Sequence, residues 1–214
     1  MRWNLDEIAD DMIEVLRGAE EDLRLEQAVY GLDSLDELEL HKVLAAGLSK
    51  KHEVAREVHY PSSVGKKQPS RQRCDLVLTE QGHPLRLDTK PPTLFDPPGM
   101  HGPGDGLWLE VKVAAQFAEG GRPHRGYGAQ WRQGVTGDLQ KMESEPALCE
   151  AALVLVVFTA TSDVLEADLQ LFEDHLAKTE VLAGFRQVRS CDILERNGHR
   201  MATVALWPTL QRSG

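Results

Sequence analysis

Leu5, Ile8, Met12 and Val15/Leu16 recur at intervals of three and four, which predicts an amphipathic helix capped by Asn4 and stopping at Gly18. A short second helix is expected over 20–30. A third follows Ser34, with Leu35, Leu40, Val43, Leu44 and Leu48 on its apolar side and a Ser34 to Glu37 capping box at its start. The pattern then changes to strand-like runs over 55–60, 74–79 and 84–88, punctuated by Pro61 and a Gly82 turn. Five Pro and four Gly between 91 and 106 exclude a regular element there. Beyond it, 107–113 reads as a strand, about 129–144 as a helix, and 151–159, dense in Val and Leu, as a fully buried central strand. A helix from Asp163 carries Leu165, Leu169, Phe172 and Leu176 on one stripe. The chain closes with a hairpin of 185–194 and 201–207 around Asn197-Gly198. Helices, strands, helix, strand, helix and hairpin in that order predict a mixed α/β chain around one sheet.

Composition narrows the function classes. The 214 residues hold 24 Lys plus Arg and 34 Asp plus Glu, a formal charge of −10 that argues against indiscriminate coating of nucleic acid. The surplus is local, because residues 1–40 hold thirteen acids against Arg2, Arg17 and Arg24, while 41–214 balance at 21 against 21. Between Lys50 and Arg73 the sign reverses. The longest apolar run, Ala151 to Phe158, is far short of the roughly 20 residues a spanning helix needs, so no membrane partner is expected. No basic start precedes an apolar stretch, so the chain reads as cytoplasmic. Cys74, Cys149 and Cys191 show no CxxC spacing, and the eight histidines show no HxH or HExxH, so neither a disulfide framework nor a zinc site is expected.

The most informative stretch is LWLEVKV, 107–113. Alternation puts Trp108, Glu110 and Lys112 on one face of a strand otherwise apolar enough to be buried. Buried charges need a partner or a metal. CDLVL repeats the pattern with Asp75, and Glu37 falls inside the apolar arc set by Leu40, Leu44 and Leu48. Three acids thus stand where leucines are expected. Asp88-Thr89-Lys90 offers a second DxK, but Pro91 and Pro92 would stop a central strand there, so Glu110 is preferred.

In this order, Glu37 in LDELELHKVL, Asp75 in RCDLVL, Glu110 and Lys112 in LEVK, then GDLQKM and ALVLVVF, the chain resembles the PD-(D/E)xK, or restriction-endonuclease-like, nuclease superfamily over roughly residues 35–158. Cys74 stands where the pattern has Pro, and the 35 residues from Asp75 to Glu110 make a long interval. The resemblance implies an α/β restriction-endonuclease-like core at 34–214, a central mixed sheet flanked by helices, with an acidic helical extension at 1–33 and a C-terminal β-hairpin.

It also implies a site. Glu37, Asp75, Glu110 and Lys112 would be catalytic; Asp75, Glu110, the Val111 carbonyl and Glu37 would hold Mg²⁺ or Mn²⁺. Lys112 would orient or activate the attacking water. Lys66, Lys67, Arg71, Arg73, Arg122, Arg125 and Arg132 would meet phosphates, although the 50–73 run reads equally as a solvated face, and Gln130 would assist. The implied function is metal-dependent hydrolysis of nucleic acid, DNA foremost, in restriction, defence or DNA processing. The alternative is an inactive binding or scaffold subunit. A homodimer, or a protein partner docking on residues 1–40, completes the expectations.

Overall fold

The computed structural model describes residues 3–63, 72–87, 99–179 and 181–210. Its centre is a six-stranded mixed sheet: β1 (His52–His59), β2 (Arg73–Glu80), β3 (Leu107–Ala115), β6 (Glu150–Thr159), β8 (Met201–Pro208) and β7 (Gln187–Asp192), in the order β1-β2-β3-β6-β8-β7. Only β3 and β6 run parallel, paired from Leu107↔Glu150 to Ala115↔Phe158; the other neighbours are antiparallel. A small ribbon of β4 (Phe117–Ala118) and β5 (Arg122–Pro123) follows β3.

Helices cover both faces. On one side α1 (Leu5–Leu25) and α2 (Glu37–Leu48) pack on Leu76, Leu109, Val111, Val154, Val204 and Leu206. On the other, α3 (Tyr127–Ala129) runs through a π-helical stretch, Gln130–Gly134, into α4 (Val135–Glu143), which with α5 (Ser162–Lys178) packs on Trp108, Leu153, Leu155 and Trp207. The run of apolar residues in β6 follows from this layering. Successive side chains of a central strand enter opposite cores, so both parities must be apolar.

Local details depart from expectation for physical reasons. Gly18 does not stop the first helix, and no second helix forms over 20–30. A mid-helix glycine costs only about 1 kcal/mol, and α1 continues because Glu20, beyond the glycine, is buried as well. Asp36, not Ser34, caps α2, closing a capping box with Glu39; Ser34 lies in a 3-10 turn, Leu32–Ser34. No strand forms at 84–87, where Leu85 makes one isolated bridge to His101. Asp88, the Asp88-Thr89-Lys90 alternative, and Lys66, Lys67 and Arg71 lie outside the described residues.

The acidic segment over 1–33 shares the core of the sheet, since Leu5, Ile8, Met12, Ile13 and Leu16 are buried against β7, β8 and α2. Its acids find partners across the molecule. Arg189 on β7 pairs with Asp6 and Asp10, Lys51 with Asp11, and Arg196 with the buried Glu20. Asp33 accepts a 2.7 Å hydrogen bond from His199 in a pair with no solvent exposure. Among the described residues no helix is long and apolar enough to cross a membrane.

Candidate active site

The antiparallel pairing of β2 and β3 ends at Leu76↔Leu109. One residue further along each strand stand Asp75 and Glu110. The two strands part there, and the Val111 N–H donates to Asp75 Oδ2 at 2.8 Å. A carboxylate on a strand that leaves its neighbour is thereby held without burial among apolar groups.

Where the strands part, four sequence-selected residues come together with three others. Lys112 Nζ reaches Glu37 Oε1 on the first turn of α2 at 3.2 Å and Asp138 Oδ2 on α4 at 3.5 Å. Lys141, one turn along α4 from Asp138, pairs with both Asp138, at 3.0 Å, and Glu110. Tyr60 donates its hydroxyl to Glu110 Oε1 at 2.6 Å and lies beneath the Lys141 ammonium. Glu37, expected in a buried stripe, is 44% exposed because the helix begins with it. Glu110 is only 2% exposed.

Charge follows position. Burial, then the nearby Asp75 and Asp138 charges, push the Glu110 carboxyl up to about 8, against the opposing pull of Lys141. Burial works against the Lys112 ammonium, but Asp138, Glu37 and Asp75 outweigh it and raise its pKa. Lys141 is raised in the same way by Glu110 and Asp138. Both lysines therefore stay charged at neutral pH. Burial beside Cys74 and Glu110 keeps the Tyr60 phenol protonated, as a donor.

On the α2 side of Asp75 lies a second grouping that the sequence reading did not single out. His41 is 3% exposed, and its Nε2 lies 3.2 Å from the Val111 carbonyl. A carbonyl only accepts, so Nε2 carries a proton, and in the neutral ring Nδ1 presents a lone pair. That Nδ1 has no hydrogen-bond partner and faces Asp75 Oδ1 at 3.9 Å. Glu57 completes the group: His41, Glu57 and Asp75 each bring a ligand atom within 4.8 Å of the others. Glu57 also has a left-handed backbone, φ 53°, where the β1–β2 register skips the position opposite Asp75.

The remaining expected residues lie further out. Val111 O is occupied by His41. Gln130 accepts from the Ala115 N–H at 3.4 Å, at the end of β3. Arg73 is exposed at the start of β2, with Nη1 3.9 Å from Glu57; Arg122 and Arg125 are exposed on the β5 segment. Arg132 is placed by its backbone in the π-helical stretch, and its side chain is outside the described residues. The 360 Å³ groove formed by Tyr127, Trp131, Asp168 and Phe172 contains none of the acidic cluster.

Of the missed residues, His41 left a readable signal, standing one helical turn after Glu37. Asp138 and Lys141, at i and i+3, read as an ordinary surface pair. No protein-family model matches the chain, and no curated protein or solved structure matches it either.

Proposed function

We propose that the protein is a metal-dependent nuclease of the PD-(D/E)xK type, with a restriction-endonuclease-like core, hydrolysing phosphodiester bonds of nucleic acid, DNA foremost. The observation that carries this reading is the convergence of Glu37, Asp75, Glu110 and Lys112, distant in sequence, where β2 and β3 part.

The residues fit a divalent cation. Four carboxyl groups, Glu37, Asp75, Glu110 and Asp138, face two ammonium groups, Lys112 and Lys141; with Glu110 raised to about 8 the formal excess is one negative charge at neutral pH and two once Glu110 ionises. The buried Nδ1 of His41, which has no hydrogen-bond partner and faces Asp75 Oδ1 at 3.9 Å, is placed to share a cation with that carboxylate. Asp75, His41 and Glu57 would hold the ion, with Glu110 nearby; it would act as a Lewis acid on a phosphoryl oxygen. An imidazole among the ligands favours Mn²⁺ over Mg²⁺, which prefers oxygen.

The chain's own groups have separable roles. Lys112, kept charged, is a cation for the phosphate as negative charge builds, not a proton acceptor. Asp138 positions both lysines, and Tyr60 orients Glu110. Arg73, Arg122 and Arg125 are exposed cations that would meet the nucleic-acid backbone, and residues 1–40 offer an acidic face for a protein partner or a second copy.

Incubation of the protein with single- and double-stranded DNA and RNA, with Mn²⁺, Mg²⁺ or chelator, tests the reading. Cleavage is expected only with metal, and Asp75→Ala or Lys112→Ala should slow it by about 10²-fold or more. His41→Ala should weaken Mn²⁺ binding by about tenfold or more, seen by calorimetry. Equal cleavage by wild type and both site variants overturns the assignment. The specific observation on the side of an inactive scaffold is the engagement of Glu110 by Lys141 and Tyr60; such a scaffold would give no binding heat that depends on Asp75.

A further inference from the structure

At the far end of β2 from Asp75, a second group of metal-ligating side chains comes together. Glu80 ends the strand, Gln81 and Gly82 turn the chain with φ 79° at the glycine, and His83 follows. His101 arrives from eighteen residues further on, fixed by its backbone: its N–H donates to the Pro84 carbonyl at 3.1 Å, and its carbonyl accepts from the Arg86 N–H at 2.7 Å. The two imidazoles stack with centroids 4.7 Å apart and planes 25° from parallel. His101 Nε2 lies 4.0 Å from Glu80 Oε2. One ligand atom from each of the three residues lies within 4.8 Å of the others.

Tautomers point the same way. His83 Nδ1 lies 3.1 Å from the Gln81 carbonyl, which only accepts, so Nδ1 carries the proton and Nε2 presents its lone pair. A ring nitrogen bonded to a backbone carbonyl is the arrangement that orients a metal-bound histidine and raises the basicity of its other nitrogen. His101 Nδ1 is buried without a hydrogen-bond partner. The chain also closes tightly here. Gly99 lies at φ 85°, which side chains rarely adopt, and a Cβ there would stand 3.0 Å from His83 Cδ2, a tight contact.

We propose that Glu80, His83 and His101 form a binding site for a transition-metal dication of the zinc type, separate from the cluster around Asp75. Two imidazoles and one carboxylate suit zinc, which takes three protein ligands and a water in a tetrahedron. At zinc–nitrogen distances near 2.0–2.1 Å the ligand atoms of a tetrahedron stand about 3.3 Å apart. Side-chain rotation of these surface residues, which are half-buried or exposed, can close the present spacing. The ion would tie the end of β2 to the returning chain at His101, stabilising the native connection by linkage.

The proposal is independent of nuclease activity and is tested by binding. Calorimetric titration of the full-length Asp75→Ala chain with Zn²⁺ should still show one equivalent of binding. His83→Ala and His101→Ala should each weaken it by about tenfold or more. Co²⁺ in place of zinc should give the visible absorption of a tetrahedral site, and His83→Cys should add a thiolate-to-metal charge-transfer band while keeping the stoichiometry. Wild-type zinc affinity and stoichiometry in both alanine variants overturn the proposal, as does loss of all zinc binding in Asp75→Ala. Circular dichroism monitors folding, and the cysteine variant keeps the test decisive if an alanine variant fails to fold.

Discussion

The charge of Glu110 works against the fold that holds it. Glutamate ionises near 4.5 when unperturbed and at about 8 in the folded protein. Below pH 4.5 the carboxyl is neutral folded and unfolded, and the full stability is present; as pH rises towards 8 the unfolded chain gives up its proton first, so that contribution is progressively lost. Glu110→Gln stays neutral throughout. With chelator present, its melting temperature should exceed that of wild type above pH 8, with the difference closing as pH falls to 4.5. Parallel melting curves at both pH values would contradict the carboxyl's raised pKa.

At this scale the sequence was readable where a charge interrupts an apolar run, as with Asp75, Glu110 and Lys112. It was unreadable where the partner comes from elsewhere. Nothing local to Tyr60, Asp138 or Glu57 says that they meet a strand fifty residues away or an acid across the sheet.

Between elements, two glycines in helices give opposite expectations. Gly47 lies where α2 crosses α1, and a Cβ there would stand 2.1 Å from Val15 Cγ2 and 2.8 Å from Val15 Cβ. Alanine gains about 1 kcal/mol of helix propensity. The overlap includes the root of the valine and cannot be relieved by a rotamer change, so helix displacement dominates. Gly47→Ala should lower unfolding stability by about 1–3 kcal/mol in urea denaturation. Gly18→Ala meets nothing within 4 Å and should raise stability by about 0.5–1 kcal/mol. The reverse order would contradict the described α1–α2 contact.

The same comparison explains which elements were legible. β6 and the pairing of β7 with β8 follow from residue type and the Asn-Gly punctuation between the strands, although an eight-residue connection, 193–200, joins them in place of a tight Asn-Gly turn. The continuity of α1 does not, since Gly18 is overruled by packing on either side of it. The Pro84 segment reads as a strand by residue type, yet only Leu85 finds a partner.

Over the whole molecule, the opening charge surplus changes meaning. The acids of 1–40 form part of a network, with Asp6, Asp10, Asp11 and Glu20 paired to cations from β7, the α2–β1 turn and the segment before β8. The Asp33–His199 pair belongs to it as a fully buried link between the two ends of the chain. His199→Ala would leave the Asp33 carboxylate buried and unpaired, at a cost of about 3–5 kcal/mol by chemical denaturation. Adding Asp33→Ala should recover part of that loss. No recovery in the double variant would show that the pair is not coupled.

The placement of α1 against β7 and β8 also sets an order in time. During synthesis the amphipathic helix is made well before β7 and β8, the strands that cover its apolar face. β6 likewise has β3 available early but waits for β8 on its other edge. The nascent chain therefore carries part of that apolar stripe uncovered until β7 and β8 have been made, and contacts of such long sequence separation form slowly. The acids of α1 beside that stripe, several of which later pair with Lys51, Arg189 and Arg196, give the waiting segment a charge that opposes association with others of its kind.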